Sequence, residues 1–179
     1  MPDALDFRPA LERPDLLADR VRDRLAAHAD QRWALDVHVA EIDPDHAGGV
    51  DLCAHYGLDP GGAGNCLVVE ARRAGSRTFA ACVIEPGRRA SLNGALRSHL
   101  GARRVSLAPE EDATRLSGME RGSITPVGLP LDWPVLVTLD LLEAPSIVVG
   151  TGLLRSKLRM PGRAFVALTG AVGLDGLAH

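Results

Sequence analysis

The chain has 179 residues, with 20 Lys or Arg, 23 Asp or Glu and a formal net charge of −3 at pH 7. Its length suits one domain with a short extension, and its 46% hydrophobic and 24% charged residues exclude a disordered or fibrous protein. The mildly acidic total argues against a protein that coats nucleic acid with a broadly basic surface. Nineteen basic residues are arginine and only Lys157 is lysine, so a mechanism that needs several lysines is excluded.

The predicted elements begin with a helix from Pro14 to about His28, because apolar residues recur on one face opposite Asp and Arg. Alternating apolar and polar residues predict a strand from Trp33 to Ile42. A short helix is predicted to begin at Asp51 and to end at Gly57.

Two strands, residues 66–71 and 78–84, are predicted to form a hairpin around Ala74-Gly75. Ser91 is a good N-cap for a helix that ends near Leu100. The remaining predicted elements are strands at 105–108, 135–137, 147–149 and 157–160, helices at 109–117 and 163–168, and a Gly/Pro-rich loop at 121–134. Short strands mixed with short helices predict an α/β (α+β) fold with a mixed sheet.

Targeting and compartment are predicted from what the sequence lacks. Residues 1–6 have neither a basic segment nor an apolar core, so we expect no signal peptide. The apolar runs are far shorter than the ~20 residues that span a bilayer, so we expect no membrane partner. The chain has three cysteines, which is an odd number, and none of them are spaced as Cys-x-x-Cys. This argues against paired disulfides and against a cysteine zinc site. We therefore expect a cytoplasmic protein.

Charge is distributed unevenly along the chain. Residues 1–63 carry a net charge of −7, and residues 64–179 carry +4. A polyanion would therefore bind the second part of the chain. The acidic first part is equally well explained as a solvated helix, either packed on the core or used as a docking element.

Several short motifs are better explained by turn chemistry than by a ligand. The loop Gly61–Gly64 precedes a strand and lacks the Lys-Ser/Thr of a phosphate loop. Gly150-Thr151-Gly152 has no third glycine and no helix after it, so a dinucleotide fingerprint is excluded. Asp43, Asp45 and His46 could ligate a metal, but a polar loop explains them equally well. We expect neither a metal nor a cofactor.

The most informative segment is the loop from Arg121 to Pro130. Two glycines, two prolines and two hydroxyl side chains give it a defined course with several free backbone N–H groups. Such groups could hold a carbonyl oxygen as it becomes an oxyanion. A rigid structural loop is the alternative, and composition alone favours it.

Several segments have an order and spacing that resemble one known family. They are residues 91–93, 100–105, 108–111, 116–120, 122–128, 135–137, 147–150 and 157–158. Over roughly residues 34–172 the chain is similar to YbaK/ProX-type aminoacyl-tRNA deacylases, whose domain is also inserted in bacterial prolyl-tRNA synthetases.

The resemblance implies a YbaK-like fold, with a mixed, barrel-like β-sheet flanked by helices over residues 34–179, and an N-terminal helical extension over residues 1–33. It implies hydrolysis of the ester that joins a small, wrongly attached amino acid to the 3′ end of a tRNA. Gly122 to Pro126 corresponds to the family's G-x-x-x-P loop, which lies against the aminoacyl group. The strand that starts at Asn65 lines the other side of the pocket.

This sequence departs from the family at two of these positions. The family carries Lys-Thr-Leu where this chain has Asn65-Cys66-Leu67, and often Asp where this chain has Thr138. Asparagine can donate hydrogen bonds but has no charge and a shorter reach than lysine. Lys157 is the only amine side chain available, and it belongs to a different strand.

The expected site residues and partners follow from the resemblance. The catalytic set is Asn65, Gly122, Ser123 and Thr125, and the substrate-binding set is Cys66, Ile124, Pro126, Val127, Gly128, Thr138, Gly150 and Lys157. The expected partner is the acceptor end of an aminoacyl-tRNA, whose phosphates arginines such as Arg103, Arg104, Arg155 and Arg159 could contact. For any one of these arginines, a place on the solvated surface is the alternative and the favoured role. An aminoacyl-tRNA synthetase is the second candidate partner. The alternative is a weakened binding module for an aminoacyl-tRNA end, an amino acid or a nucleotide.

Overall fold

The computed structural model describes residues 4–179, so Met1, Pro2 and Asp3 of the predicted extension lie outside the described residues. Six α-helices lie within the described residues: α1 (Asp19–Ala26), α2 (Gly49–Tyr56), α3 (Ala95–His99), α4 (Glu110–Ser117), α5 (Leu139–Glu143) and α6 (Gly162–Thr169). Nine strands accompany them: β1 (Arg8–Pro9), β2 (His38–Glu41), β3 (Asn65–Arg73), β4 (Ser76–Ile84), β5 (Arg104–Leu107), β6 (Val135–Val137), β7 (Ile147–Gly150), β8 (Ser156–Met160) and β9 (Val172–Gly173). The predicted α+β class is confirmed.

The strands form two sheets that do not close into a barrel. The four-stranded sheet has the order β1-β2-β8-β7, and all its neighbours are antiparallel. The five-stranded sheet has the order β5-β3-β4-β6-β9. It is mixed, because β4, β6 and β9 run parallel to one another while β3 runs antiparallel to both its neighbours.

The predicted hairpin is confirmed and is longer than expected. β3 and β4 pair over nine residues each, from Asn65 opposite Ile84 to Arg73 opposite Ser76. Ala74 and Gly75 form the turn with φ of 48° and 86°, as the two-residue turns that suit a twisted hairpin require. The hairpin therefore separates Asn65 from the turn by the whole length of β3, about 26 Å.

Three predicted elements are shorter than the sequence indicated. The predicted helix from Pro14 to His28 is a 3₁₀ turn at Pro14–Leu16 followed by α1. The predicted strand from Trp33 to Ile42 is reduced to β2, because a 3₁₀ helix at Arg32–Asp36 replaces its first part. The N–H groups of Ala34 and Val37 bond within this turn instead of pairing with a strand. The predicted helix after Ser91 begins only at α3, and α5 was not predicted.

The main core lies between the two sheets. Its apolar side chains come from the inner faces of both, as with Val83 on β4 and Leu158 on β8, together with Phe165 of α6. Val21 and Leu25 of α1 belong to the same cluster and are fully buried. Burial of a side chain of this size contributes about 1.5–3 kcal/mol. The apolar face of α1 is therefore covered by the core. No helix in residues 4–179 is long and apolar enough to cross a membrane.

Candidate functional site

A cleft of about 300 Å³ opens where β3 begins, beside the N-terminus of α2 and the loop at 122–124. Seven of the predicted site residues line it: Asn65, Cys66, Gly122, Ser123, Ile124, Gly150 and Lys157. Five residues without a predicted role complete the lining: Ala47, Gly48, Gly49, Gly64 and Leu67. Both sheets contribute walls, so the packing of the sheets creates this site.

Gly64 brings the start of β3 against the four-stranded sheet. Its N–H donates a 2.8 Å hydrogen bond to the carbonyl of Val148. A Cβ at position 64 would lie 2.9 Å from Val83 Cγ1 and 3.1 Å from side-chain atoms of Leu141 and Val149. Only glycine allows this approach, which sets the floor of the cleft beside Asn65.

Asn65 is the first residue of β3 and is exposed at the mouth of the cleft. Its amide lies against Gly49, the first residue of α2, where a Cβ would come within 2.8 Å of Asn65 Oδ1 and 3.1 Å of Nδ2. An asparagine amide both donates and accepts hydrogen bonds. Asn65 can therefore orient a polar ligand without being charged.

Among the residues of 4–179 that line the cleft, Lys157 has the only charged side chain. It lies on β8 between Ala40 of β2 and Gly150 of β7, and it is 7% exposed. Its Nζ donates a 3.0 Å hydrogen bond to the Ala47 carbonyl. Burial lowers its pKa to about 8, against a small opposing effect of Cys53. The amine therefore stays mostly protonated at pH 7 with two further N–H groups.

Ser123 fixes the loop that forms the opposite wall. Its hydroxyl donates a 2.6 Å hydrogen bond to the Leu153 carbonyl, and its own carbonyl accepts one of 3.0 Å from Gly152. A Cβ on Gly150 would lie 2.7 Å from that carbonyl oxygen. The observed contacts of Ser123 therefore hold the loop in place, and its predicted catalytic role stays a prediction.

Cys66 lines the cleft as a neutral thiol. Burial raises its pKa far above the ordinary value, with a smaller contribution from Cys82. Because the thiolate is the nucleophilic form, Cys66 offers apolar surface rather than a nucleophile at neutral pH.

Four predicted loop residues lie in the core, away from this cleft. Thr125, Pro126, Val127 and Gly128 are all buried, and none of them lines the cleft. A Cβ on Gly128 would lie 2.7 Å from the Arg20 carbonyl oxygen, so this part of the loop packs on α1. Thr125 Oγ1 is buried without a hydrogen-bond partner in residues 4–179. The chain turns inward directly after Ile124.

Thr138 also lies elsewhere. Its hydroxyl donates a 2.9 Å hydrogen bond to the buried carboxylate of Glu85. It lines a separate small recess with Arg88 and Asp140. The position where the family often has Asp is thus part of a buried polar contact in this chain.

Three of the five unpredicted lining residues share a signal that the sequence shows. Gly48, Gly49 and Gly64 are glycines next to predicted element boundaries, where a missing side chain allows close approach. The nearby His46, Asp43 and Asp45 do not form a metal centre: His46 Nδ1 pairs with Asp51 Oδ2 at 2.7 Å, and the structure shows no group of three potential ligands within residues 4–179.

Comparisons with solved structures show the same fold. Hypothetical protein APE2540 is 21% identical, with a TM-score of 0.73 over 90% of this chain and all of that one. A candidate trans-editing enzyme for prolyl tRNA synthetase is 22% identical, with a TM-score of 0.70 over 88% of this chain and 98% of that one. A scaffold from the computational grafting of epitope backbones is 21% identical, with the same TM-score and coverage.

The comparison with protein families gives a match that spans the cleft. No curated protein matches the sequence. A family model described as the aminoacyl-tRNA editing domain matches residues 43–168. This range includes every residue that lines the cleft. The chain belongs to the aminoacyl-tRNA editing domain family.

Proposed function

We propose that this protein is a trans-acting aminoacyl-tRNA deacylase, which removes a small mischarged amino acid from the 3′ end of a tRNA. The observation that carries the proposal is one cleft that joins the lone lysine, the Asn65 amide and the backbone of residues 122–124. Membership of the editing-domain family supports the substrate class. The proposal includes action in the cytoplasm and cooperation with a synthetase that makes the error.

Lys157 supplies the positive charge for this reaction. An aminoacyl ester is already activated, so a site needs to orient water and to stabilise negative charge on the carbonyl oxygen. A buried ammonium does this more effectively than a solvated one, because the surrounding dielectric is low. With one N–H bound to the Ala47 carbonyl, two others remain to bind the oxyanion.

The hydrolytic step needs no covalent intermediate with the protein. Water adds to the carbonyl carbon, and Lys157 together with the Asn65 amide stabilises the resulting oxyanion. The bond between that carbon and the ribose oxygen then breaks, and the ribose oxygen takes up the proton that the attacking water loses. The neighbouring ribose hydroxyl of the substrate assists this transfer. The products are a free amino acid and a tRNA with an intact terminal ribose.

The apolar lining of the cleft discriminates among aminoacyl groups by how closely each one packs against it. Leu67 and Ile124 are its bulky apolar lining residues, and one methylene group in such a pocket is worth about 1–3 kcal/mol. Alanine, serine, proline and cysteine are the expected aminoacyl groups.

The test is a panel of tRNAs mischarged with these amino acids, with ester loss measured against a buffer blank. We expect acceleration for at least one pair, and a loss of about tenfold to a hundredfold in Asn65→Ala, since an oriented hydrogen-bond donor is removed. Asn93→Ala is the matched control, because Asn93 is the only other asparagine and is exposed outside the cleft. If the folded protein accelerates none of the pairs, the proposal is wrong.

A binding module without hydrolysis is the second candidate. The observation that favours it is that, within residues 4–179, no carboxylate or imidazole side chain lines the cleft, so these residues offer no conventional general base there. The same panel separates the two functions. Saturable binding of aminoacyl-tRNA without ester loss supports the module, and ester loss supports the enzyme.

A further inference from the structure

Five arginines surround the turn of the β3–β4 hairpin, at the opposite end of β3 from the cleft. Arg72 and Arg73 end β3, Arg77 lies near the start of β4, and Arg103 and Arg104 lie at the start of β5. All five are exposed. They line one open groove of about 400 Å³ together with Ala74, Gly75 and Ser76. We call these five residues the arginine patch.

Three of the arginines form a row across three adjacent strands. Arg72 lies directly opposite Arg77 in one ladder and directly opposite Arg104 in the other. Residues paired in this way share a face of the sheet, and the strands lie about 4.8 Å apart. Like charges directly opposite one another destabilise a sheet. The row therefore needs nearby negative charge to offset this repulsion.

Carboxylates neutralise only part of the arginine patch. Glu70 pairs with Arg72 and, at 2.6 Å, with Arg77, and Asp112 also pairs with Arg77. The ion pairs of residues 4–179 do not include Arg73, Arg103 or Arg104. The two carboxylates thus balance at most two of the five positive charges, and no acidic residue lines the groove.

The position of the arginine patch relates it to the cleft. Asn65 and Arg72 lie on the same strand, seven residues apart, which corresponds to about 23 Å along β3. A ligand that fills the cleft with its reactive end and also contacts the arginine patch must extend over this distance. It must also carry closely spaced negative charges. A nucleic-acid duplex carries one negative charge per about 1.7 Å of its axis.

We propose that the arginine patch binds the phosphate backbone of the RNA whose 3′ end enters the cleft. This inference rests on the proposed function for the identity of the RNA, and it adds a second contact surface at the far end of β3. Arginine suits the role because its planar guanidinium binds phosphate oxygens in pairs. The contact positions the RNA and does not read its bases.

The test compares binding of uncharged tRNA by the wild-type protein and by the triple variant Arg73→Gln, Arg103→Gln, Arg104→Gln across a salt series. These three arginines are chosen because replacing Arg72 or Arg77 would remove an ion-pair partner of buried Glu70. We expect binding at least about tenfold weaker at low salt, and a plot of log K against log salt with a slope smaller by about two to three. The matched control, Arg8→Gln, Arg22→Gln, Arg163→Gln, removes the same charge from exposed arginines outside the patch.

Hydrolysis is measured separately on an aminoacylated adenosine, which is too short to reach the arginine patch. The triple variant should hydrolyse this substrate at the wild-type rate. An unchanged affinity and salt slope for tRNA would overturn the inference, as would an equal loss in the control. Arginine-dependent tRNA binding without hydrolysis of either substrate would support the arginine patch while rejecting the deacylase.

Discussion

The Nζ of Lys157 donates a 3.0 Å hydrogen bond to the carbonyl oxygen of Ala47. This contact joins β8 to the segment that leads into α2, and it places the only amine side chain of the protein in the wall of the cleft. The lysine is buried beside glycines and apolar side chains rather than beside a carboxylate. A charge kept in such a place costs stability, and the first prediction below follows from that cost.

Lys157→Met should stabilise the protein at pH 7. The pKa of Lys157 is lowered from 10.5 to about 8, so the folded state disfavours the charged form. This costs the folded state about 3 kcal/mol of stability. The cost is fully present below pH 8 and disappears as pH rises from 8 to 10.5. Urea unfolding at pH 7 should show the variant to be about 1–3 kcal/mol more stable. The difference in unfolding free energy between the variant and wild type should shrink as pH rises to 10. A variant that is less stable than wild type at pH 7 would contradict this prediction.

The pH dependence of deacylation should follow the same amine. If the protonated form of Lys157 stabilises the oxyanion, the enzyme-dependent rate falls as pH rises through about 8. The measurement is the single-turnover rate from pH 6 to 9.5, with the rising hydroxide-driven blank subtracted. A rate that keeps increasing across this range would show that the neutral amine, or no amine, is the active form.

Gly150→Ala should disturb the wall of the cleft. The added Cβ would lie 2.7 Å from the Ser123 backbone carbonyl, which must move, and overpacking of this kind costs about 1–3 kcal/mol. We expect lower stability in urea unfolding together with slower deacylation. Gly61→Ala is the matched control, because its Cβ meets nothing closer than 3.4 Å and Gly61 lies outside the cleft lining. Equal effects in the two variants would reject the proposed contact.

Glu70→Gln should lower the stability of the protein at neutral pH but not at acidic pH. Hydrogen bonding from Arg72, and then from Arg77, lowers the pKa of the Glu70 carboxyl despite its burial. The stability that this carboxylate contributes is present above its unfolded pKa and is lost as pH falls through the folded value. The variant should therefore be less stable at pH 7, with the difference shrinking toward pH 3. Glu111→Gln, at an exposed position on α4, should show no such difference in thermal unfolding.

Local sequence patterns predict much of this fold because they act over short distances. The β3–β4 hairpin is recognisable from two apolar runs around Ala74-Gly75. The end of α2 is marked by Gly57, which adopts φ of 65° there. By contrast, the alternating segment from Trp33 to Ile42 is predicted as one strand, yet the backbone groups of its first residues bond within a turn. Alternation alone does not show where a strand will find a partner.

The site was less predictable because it is formed by the packing of two sheets. Lys157 was expected near the substrate only because it is the sole amine, whereas its position depends on β8 lying beside β7 and on Gly64 bridging to Val148. The loop from Gly122 to Gly128 was treated as one continuous wall. Its second half is buried against α1, where Val127 packs into the main core.

The most direct test of the central claim is the single-turnover deacylation rate of Lys157→Met on the tRNA that wild type hydrolyses best. The variant is first shown to be folded and at least as stable as wild type at pH 7. We predict a fall of about a hundredfold or more, the usual effect of removing one oxyanion donor, with tRNA affinity unchanged. A stable Lys157→Met variant that deacylates at the wild-type rate would contradict the assignment of this cleft as the site of hydrolysis.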